Sequence, residues 1–409
     1  MNEQELIPHL FRTEFSKISS VLSKLFGIDH IEIAEDIASE TFLSALETWP
    51  YNGIPSNPVA WLYAVAKNKT RNHLHRNKIF SEKIIPDLNP DMFTNFEIDL
   101  SEKNISDSQL QMLFTLCHPA IPTEAQIGLS LRILCGFGID EIATAFLTNK
   151  ESINKRLFRA KEKLREEKIK IEFPALNEID QRLNTVLTTL YLLFSEGYYS
   201  ENKEEVIRED LCMEAMRLTF MLVENKLTNQ PKVSALYALM CFHTSRFPAR
   251  KKDNGEMILY GDQDESLWDK AMITKGAYYL HEASAGNRIS KYHLEASIAY
   301  WHTIKDDTKE KWENILQLYN RLLQLEYSPI AALNRTFALS KVNGKQEAIR
   351  EAEKLDLHEN HFYYTLLGEL YTGIDDSKAK ECFRKAVTLA KTNSDKEMIL
   401  KKAASSRFG

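Results

Sequence analysis

The chain has 409 residues, 44% of them apolar and 27% charged, which is too long for one ordinary core and suits two or three domains. With only 14 Gly and 12 Pro it lacks the tight turns that sandwiches and α/β folds require, so an all-α protein is expected. A net charge of -6 excludes a protein that coats nucleic acid over its whole surface, while leaving room for a local basic face.

The start, Met-Asn-Glu-Gln-Glu, has neither the basic opening nor the apolar stretch of a secretory leader. No apolar run approaches the ~20 residues that span a bilayer, so a cytoplasmic protein without membrane contact is expected. Residues 6–78 read as three or four helices. Ile33, Ala34, Ile37, Ala38, Thr41, Ala45 and Leu46 recur at helical spacing, and Glu32, Glu35, Asp36, Ser39, Glu40 and Glu47 occupy the other face. Between Asp29 and Glu47 there are six acids and no Lys or Arg. A loop from Trp49 to Ser56, carrying Tyr51 and Asn52, follows. Its aromatic side chains suit either a plain anchored connection or a stacking surface for an unpaired base. Asn57 as N-cap and Pro58 at the first helical position then restart a helix. It bears Trp61 and ends in a basic stretch with Lys67, Lys69, Arg71, Arg76 and Lys78.

Residues 79–107 lose the pattern. Pro86, Asn89 and Pro90 break helices, and from Asp87 to Asp107 six acids face a single Lys, as in an acidic linker. Residues 108–173 hold a helix-turn-helix pattern. Its first helix runs from Ile139 to Phe146 with Ile142, Ala143 and Phe146 inward, and its second from about Lys150. Thr148 and Glu151 have the spacing of a capping box. Ile153, Leu157, Ala160 and Leu164 form one apolar stripe, and Lys155, Arg156, Arg159 and Lys163 lie largely away from it. From Lys150 to Lys170 nine basic residues stand against four acidic ones, a net of +5 in a chain of net -6. A basic helix of this kind is either a solvated face or one that neutralises phosphates. In the second case Asn149, Lys150, Ser152, Asn154 and Lys155 are placed to read bases.

Residues 175–409 read as helices with short connections. Residues 331–355 and 362–389 each form helix, turn, helix, with Ala348 and Ala379 at equivalent positions 31 residues apart. That is near the tetratricopeptide period of about 34 residues, so a TPR-like array is expected. Asp264 reads as a helix N-cap rather than a metal ligand with Asp262 and Asp269. Asp253-Asn254-Gly255 signals a tight turn before a strand-like stretch at residues 257–260. Cys117, Cys135, Cys212, Cys241 and Cys382 show no CxxC pair and read as reduced, packed thiols, even where His118 or His243 stands close. No P-loop, GxSxG or HExxH occurs, so neither an enzyme nor a metal or cofactor is expected.

The order of these elements resembles one family. Ala34-Glu35-Asp36-Ile37-Ala38-Ser39-Glu40-Thr41-Phe42 and Asn57-Pro58-Val59-Ala60-Trp61-Leu62-Tyr63-Ala64-Val65-Ala66-Lys67-Asn68 are similar to the sigma-two domain of extracytoplasmic-function sigma factors. Leu129-Ser130-Leu131-Arg132, Glu141-Ile142-Ala143-Thr144-Ala145-Phe146 and Lys155-Arg156-Leu157-Phe158-Arg159-Ala160-Lys161 resemble the sigma-four domain. Glu196-Gly197-Tyr198, Arg246-Phe247-Pro248-Ala249-Arg250 and the stretch Asp262-Gln263-Asp264-Glu265-Ser266-Leu267-Trp268-Asp269 look like a subgroup with a long C-terminal helical extension.

The resemblance implies a non-enzymatic subunit that directs core RNA polymerase to promoter DNA. It implies that Asp36 and Glu40 contact the polymerase, with Ser39 standing where the family often has Gln. The loop with Trp49, Tyr51 and Asn52, and the helix with Trp61, Lys67, Lys69, Arg71 and Arg76, would meet the minus-ten element. Residues from Asn149 to Lys163 would meet the minus-thirty-five element. The appended array would set activity in cis or hold a regulatory protein. A helix-turn-helix regulator with a sensing domain is the rival, and it gives no account of the acidic face. A scaffold without a DNA role leaves the basic helix unexplained.

Overall fold

The computed structural model describes residues 3–76, 98–146, 148–198, 209–250, 258, 260–390 and 392–405. All regular elements among them are helical, as the scarcity of turn formers requires. Two compact units divide the chain at residues 192 and 193.

In the first unit, α1 (Glu3–Phe26), α2 (Ile31–Asn52) and α3 (Pro58–Arg76) enclose a core built on Phe15, Ile18, Leu22, Ile37, Phe42, Trp49 and Leu62. The α2 stripe buries Ala34, Ile37, Ala38, Thr41 and Ala45 as its spacing predicts, but Leu46 is 54% exposed. The helix also runs through Pro50 to Asn52, so the expected loop from Trp49 to Ser56 is shorter. Pro50 removes only the hydrogen bond to the Leu46 carbonyl, on an exposed side of the last turn where water can replace it. Asn57 caps α3 as expected: its Oδ1 accepts the Ala60 N–H at 3.0 Å.

Ile98, Leu100 and Ile105 belong to this same core, so the chain rejoins the fold before the linker boundary drawn at residue 107. The rest of the acidic linker, with Lys78, Pro86, Asn89 and Pro90, lies outside the described residues. Next come α4 (Glu102–Leu116), α5 (Thr123–Leu134), α6 (Ile139–Ala145) and α7 (Lys150–Glu166). α5 is buried on nearly every side through Ala125, Ile127, Leu129, Leu131 and Ile133, as expected of the central helix of a bundle. Helix α8 (Ile179–Tyr198) begins in this unit: Arg182 donates to the Phe114 carbonyl at 2.6 Å and Thr189 to Gln126 Oε1 at 2.8 Å. The boundary drawn at residue 175 therefore comes too early, because burial of Leu183, Val186 and Leu187 is a tertiary fact.

In the second unit the end of α8 meets α9 (Glu209–Glu224) and α10 (Pro231–Thr244), the latter buried around almost its whole circumference. After a single turn, Phe247–Arg250, come α11 (Lys270–Ala283), α12 (Lys291–Trp301), α13 (Lys309–Leu325), α14 (Pro329–Asn343), α15 (Lys345–Ala352), α16 (His361–Tyr371), α17 (Asp376–Leu389) and α18 (Asn393–Ser405). Thr308, Ser328, Asn360 and Asp375 each cap the helix that follows with a side-chain oxygen, so these starts are written locally. From α13 onward each helix packs on its chain neighbours, and Ala348 and Ala379 are both buried. Asp264 caps a short 3-10 turn through the Ser266 N–H and Asp269 caps α11 through that of Met272. The expected turn at Asp253-Asn254-Gly255 lies outside the described residues. Tyr260 opens a 3-10 turn instead of ending a strand, with its ring against Trp268 and His302.

Candidate nucleic-acid and protein interface

Side chains on two sides of α2 do different work. Asp36, Ser39, Glu40, Leu43, Leu46 and Glu47 are exposed. Glu35, which the helical pattern assigns to the same acidic face, is 7% exposed. Its carboxylate accepts from Arg132 Nε of α5 at 3.2 Å and from Lys161 Nζ of α7 at 2.7 Å. Glu32 pairs with Lys161 at 3.4 Å and with Arg165. Burial raises the Glu32 pKa, but Lys161 and Arg165 outweigh it and hold the carboxyl below its ordinary range. Part of the acidic face is thus spent inside the first unit, joining α2 to α5 and α7. Helix periodicity cannot reveal this, since the partners lie about 100 residues away in sequence.

At the end of α2 the two aromatics separate. Trp49 is buried at 4% exposure, edge-on to Trp61 with ring centroids 5.4 Å apart, so it anchors the helix end and offers no stacking surface. Its place in the expected base-binding set is corrected on that ground. Tyr51 is 87% exposed, with exposed Asn52 beside it. On α3, Trp61 and Lys67 are half-buried and Arg71 is exposed, while Lys69 pairs with Glu40 at 3.3 Å. Arg76 closes the helix, but its side chain lies outside the described residues. A groove between α2 and α3 is lined by Asp36, Glu40, Lys69, Asn72 and His73. A second, apolar groove between α1 and α2 is lined by Phe11, Phe42, Leu43 and Leu46. The helical pattern puts Leu46 on the buried stripe and passes over Leu43, which lies off that stripe and could have signalled an exposed apolar strip.

On α7 the stripe Ile153, Leu157, Ala160 and Leu164 is buried as read. The cap is Asn149, whose Oδ1 accepts the Ser152 N–H at 2.8 Å, and not Thr148. Its carbonyl oxygen is therefore committed to the backbone. Lys150 pairs with Asp140 at 3.0 Å, Lys155 with Glu151 at 2.6 Å and Lys163 with Glu167 at 2.8 Å. The hydrogen bond and charge of Glu167 push the Lys163 pKa up. Arg156 is half-buried over the Phe146 ring at 5.6 Å. Asn154 and Arg159 are exposed, and Arg159 has no ion-pair partner among the described residues. Phe158, 63% exposed beside Arg159, is a surface aromatic that the basic-residue count passed over.

Residues 10–79 match the family model of sigma-70 region 2, and residues 182–284 match a family of unknown function, DUF6596. An uncharacterized protein of Rhizobium meliloti (strain 1021) is 33% identical over 378 residues, covering 90% of this chain and 89% of its own length. The chain belongs to the same family as this rhizobial protein. Its N-terminal sigma-70 region 2 supports a sigma factor of the sigma-70 family, a transcription-initiation subunit that binds core RNA polymerase. No solved structure gives a significant match. The residues matched to sigma-70 region 2 include the exposed acidic face, the Tyr51 tip and the cations of α3. Among the described residues no helix is long and apolar enough to cross a membrane.

Proposed function

We propose that the protein is a promoter-specific sigma factor of the extracytoplasmic-function type, with a TPR-like C-terminal array that modulates its output. The observation that carries this reading is the coincidence of the region 2 match with an exposed strip of acids and leucines on α2. Asp36, Ser39 and Glu40 would dock on core polymerase, with Leu43 and Leu46 supplying the apolar contact beside them. Tyr51 and Asn52 would receive an unpaired base, as an exposed aromatic side chain can. Lys67, Lys69 and Arg71 would follow the opened strand, and the outer side of α7 would meet duplex DNA upstream. Formation of the polymerase contact would compete with the Lys69–Glu40 pair, an exposed ion pair worth at most about 1 kcal/mol.

The test is capture of core polymerase by the full chain, followed by run-off transcription on a promoter library. The double variant Asp36→Arg, Glu40→Arg reverses an exposed face without touching Glu35, so it keeps the fold. Capture should fall at least about tenfold, since like charges across an interface are strongly unfavourable. Undiminished capture would remove α2 from the interface.

A further inference from the structure

The three C-terminal stretches Glu196–Tyr198, Arg246–Arg250 and Asp262–Asp269 are far apart in sequence, yet Tyr198, Arg246, Arg250 and Trp268 gather at one place in the second unit. Arg246 donates to the Tyr198 hydroxyl at 3.2 Å, and its guanidinium lies 5.5 Å from the Tyr260 ring centre. Arg250 stands 4.1 Å from the ring centre of Tyr198, which in turn packs on His243 at 4.4 Å. Tyr260 meets His302 edge-on at 5.3 Å, and its hydroxyl accepts from Lys311 at 3.1 Å. Lys311 is only 1% exposed.

Charge in this cluster does not balance. Among the described residues no carboxylate lies within ion-pair distance of Arg246 or Arg250. Arg246 Nε and Arg250 Nη1 are buried donors with no acceptor. Asp307, whose charge reaches Tyr260 and Lys311, is taken by Lys341 at 3.0 Å and by the Trp312 indole. Burial, followed by the cations around them, holds His243 and His302 neutral, the latter with a pKa lowered to about 3. A half-buried guanidinium with an unused buried donor is costly, and two of them on the same rings give an anion both the charge and the donors it needs. Cation–π contact with Tyr198 and Tyr260 offsets only part of that cost.

We propose that Tyr198, His243, Arg246, Arg250, Tyr260 and His302 form a binding site for a small molecule bearing an oxyanion, a phosphate or a carboxylate. Two planar guanidiniums offer the forked donors that such a group accepts. The neutral imidazoles and tyrosine rings give the wall against which the remainder of the ligand packs. No residue of this site belongs to the polymerase and promoter surfaces, so it stands or falls independently of them. A bound ligand would give the appended region something to sense.

The test uses the full chain, with inorganic phosphate, pyrophosphate and citrate titrated by calorimetry and thermal shift against chloride at matched ionic strength. Saturable binding of at least one of them beyond chloride is expected, and the preference between phosphates and citrate identifies the oxyanion. Arg246→Lys and Arg250→Lys keep the charge and lose the fork, and each should weaken binding about tenfold or more. Lys309→Gln, on the exposed side of α13, should leave it unchanged. Absence of saturable binding for all three anions would overturn the site. So would equal binding by both lysine variants, which would leave the arginines as packing for the tyrosine rings.

Discussion

The two units differ in the charge they bury, carboxylates with partners in the first and clustered cations in the second. In the first, Glu35 is enclosed and answered twice, by Arg132 and Lys161, and Glu14 is answered by Lys17 and the Tyr63 hydroxyl. In the second, Arg246, Arg250 and Lys311 collect around tyrosine and histidine rings with too few acids between them. The first unit answers its buried carboxylates and keeps much of its unspent charge on the outer faces of α2 and α7, while half-buried Arg182, beside the Phe114 carbonyl, leaves its Nε without an acceptor among the described residues. The second keeps its unspent charge inside. A single orphan donor such as Arg182 Nε marks a packing compromise, whereas two guanidiniums gathered on the same rings point to a ligand that enters.

Removing one side of an answered charge tests this contrast hardest. Glu35→Ala leaves Lys161 and Arg132 facing a gap, and loss of one member of a buried pair costs about 3–5 kcal/mol. Glu32 still reaches Lys161, so the lower end, about 3 kcal/mol, is expected. Hydrogen exchange should report it in α2, α5 and α7 with the second unit unchanged. A loss below about 1 kcal/mol would mean the pair is solvated and the contrast is overstated.

Glycine contacts give the next largest effect, with opposite signs in the two units. A Cβ on Gly276 would lie 2.7 to 3.1 Å from three ring atoms of Phe242, and the ring cannot retreat within a packed core. Overpacking costs about 1–3 kcal/mol, against about 1 kcal/mol gained from helix propensity. Gly276→Ala should therefore destabilise α10 and α11. A Cβ on Gly128 meets only the Leu157 Cδ2 methyl, at 2.9 Å, the end of a side chain that can turn aside. Gly128→Ala should be neutral or slightly stabilising, as measured by denaturant midpoint.

Acid should separate the units as well. Among the described residues, His243, His293 and His302 in the second unit have pKa values depressed by burial, whereas the first unit holds one such ring, His118. A depressed folded-state value stabilises the neutral form, so this stability is present above the unfolded value near 6.5 and is lost as pH falls. The carboxyl of Glu32, also depressed, follows the same sign and begins to matter only below about 4.5. Chemical denaturation followed by hydrogen exchange between pH 7 and 4 should show the second unit weakening first. Simultaneous weakening would remove the distinction.

The smallest effects on stability, and the most local ones on binding, belong to the surface of α7. Lys155→Ala and Arg159→Ala should each stay within about 0.5 kcal/mol of the parent, as exposed substitutions usually do. If the helix meets DNA, each lost phosphate contact lowers the salt slope of binding by about one unit. Arg159, with no ion-pair partner among the described residues, should give the full effect, and Lys155, already paired with Glu151, a smaller one. An unchanged slope for both would leave α7 a solvated basic face.

What the sequence alone determined is whatever depends on near neighbours. The all-α class, the buried stripe of α7, the Asn57 cap with Pro58, the Asp264 cap and the paired helices around Ala348 and Ala379 all follow from spacing and from groups within four residues. Tertiary structure decided everything that depends on which distant groups meet. It turned Glu35 inward, buried Trp49 while leaving Tyr51 and Leu46 out, kept the start of α8 with the first unit, and brought Tyr198, Arg246, Arg250 and Trp268 together. Helical periodicity names a face but not its neighbour, and long-range charge and ring contacts are fixed only when the helices pack.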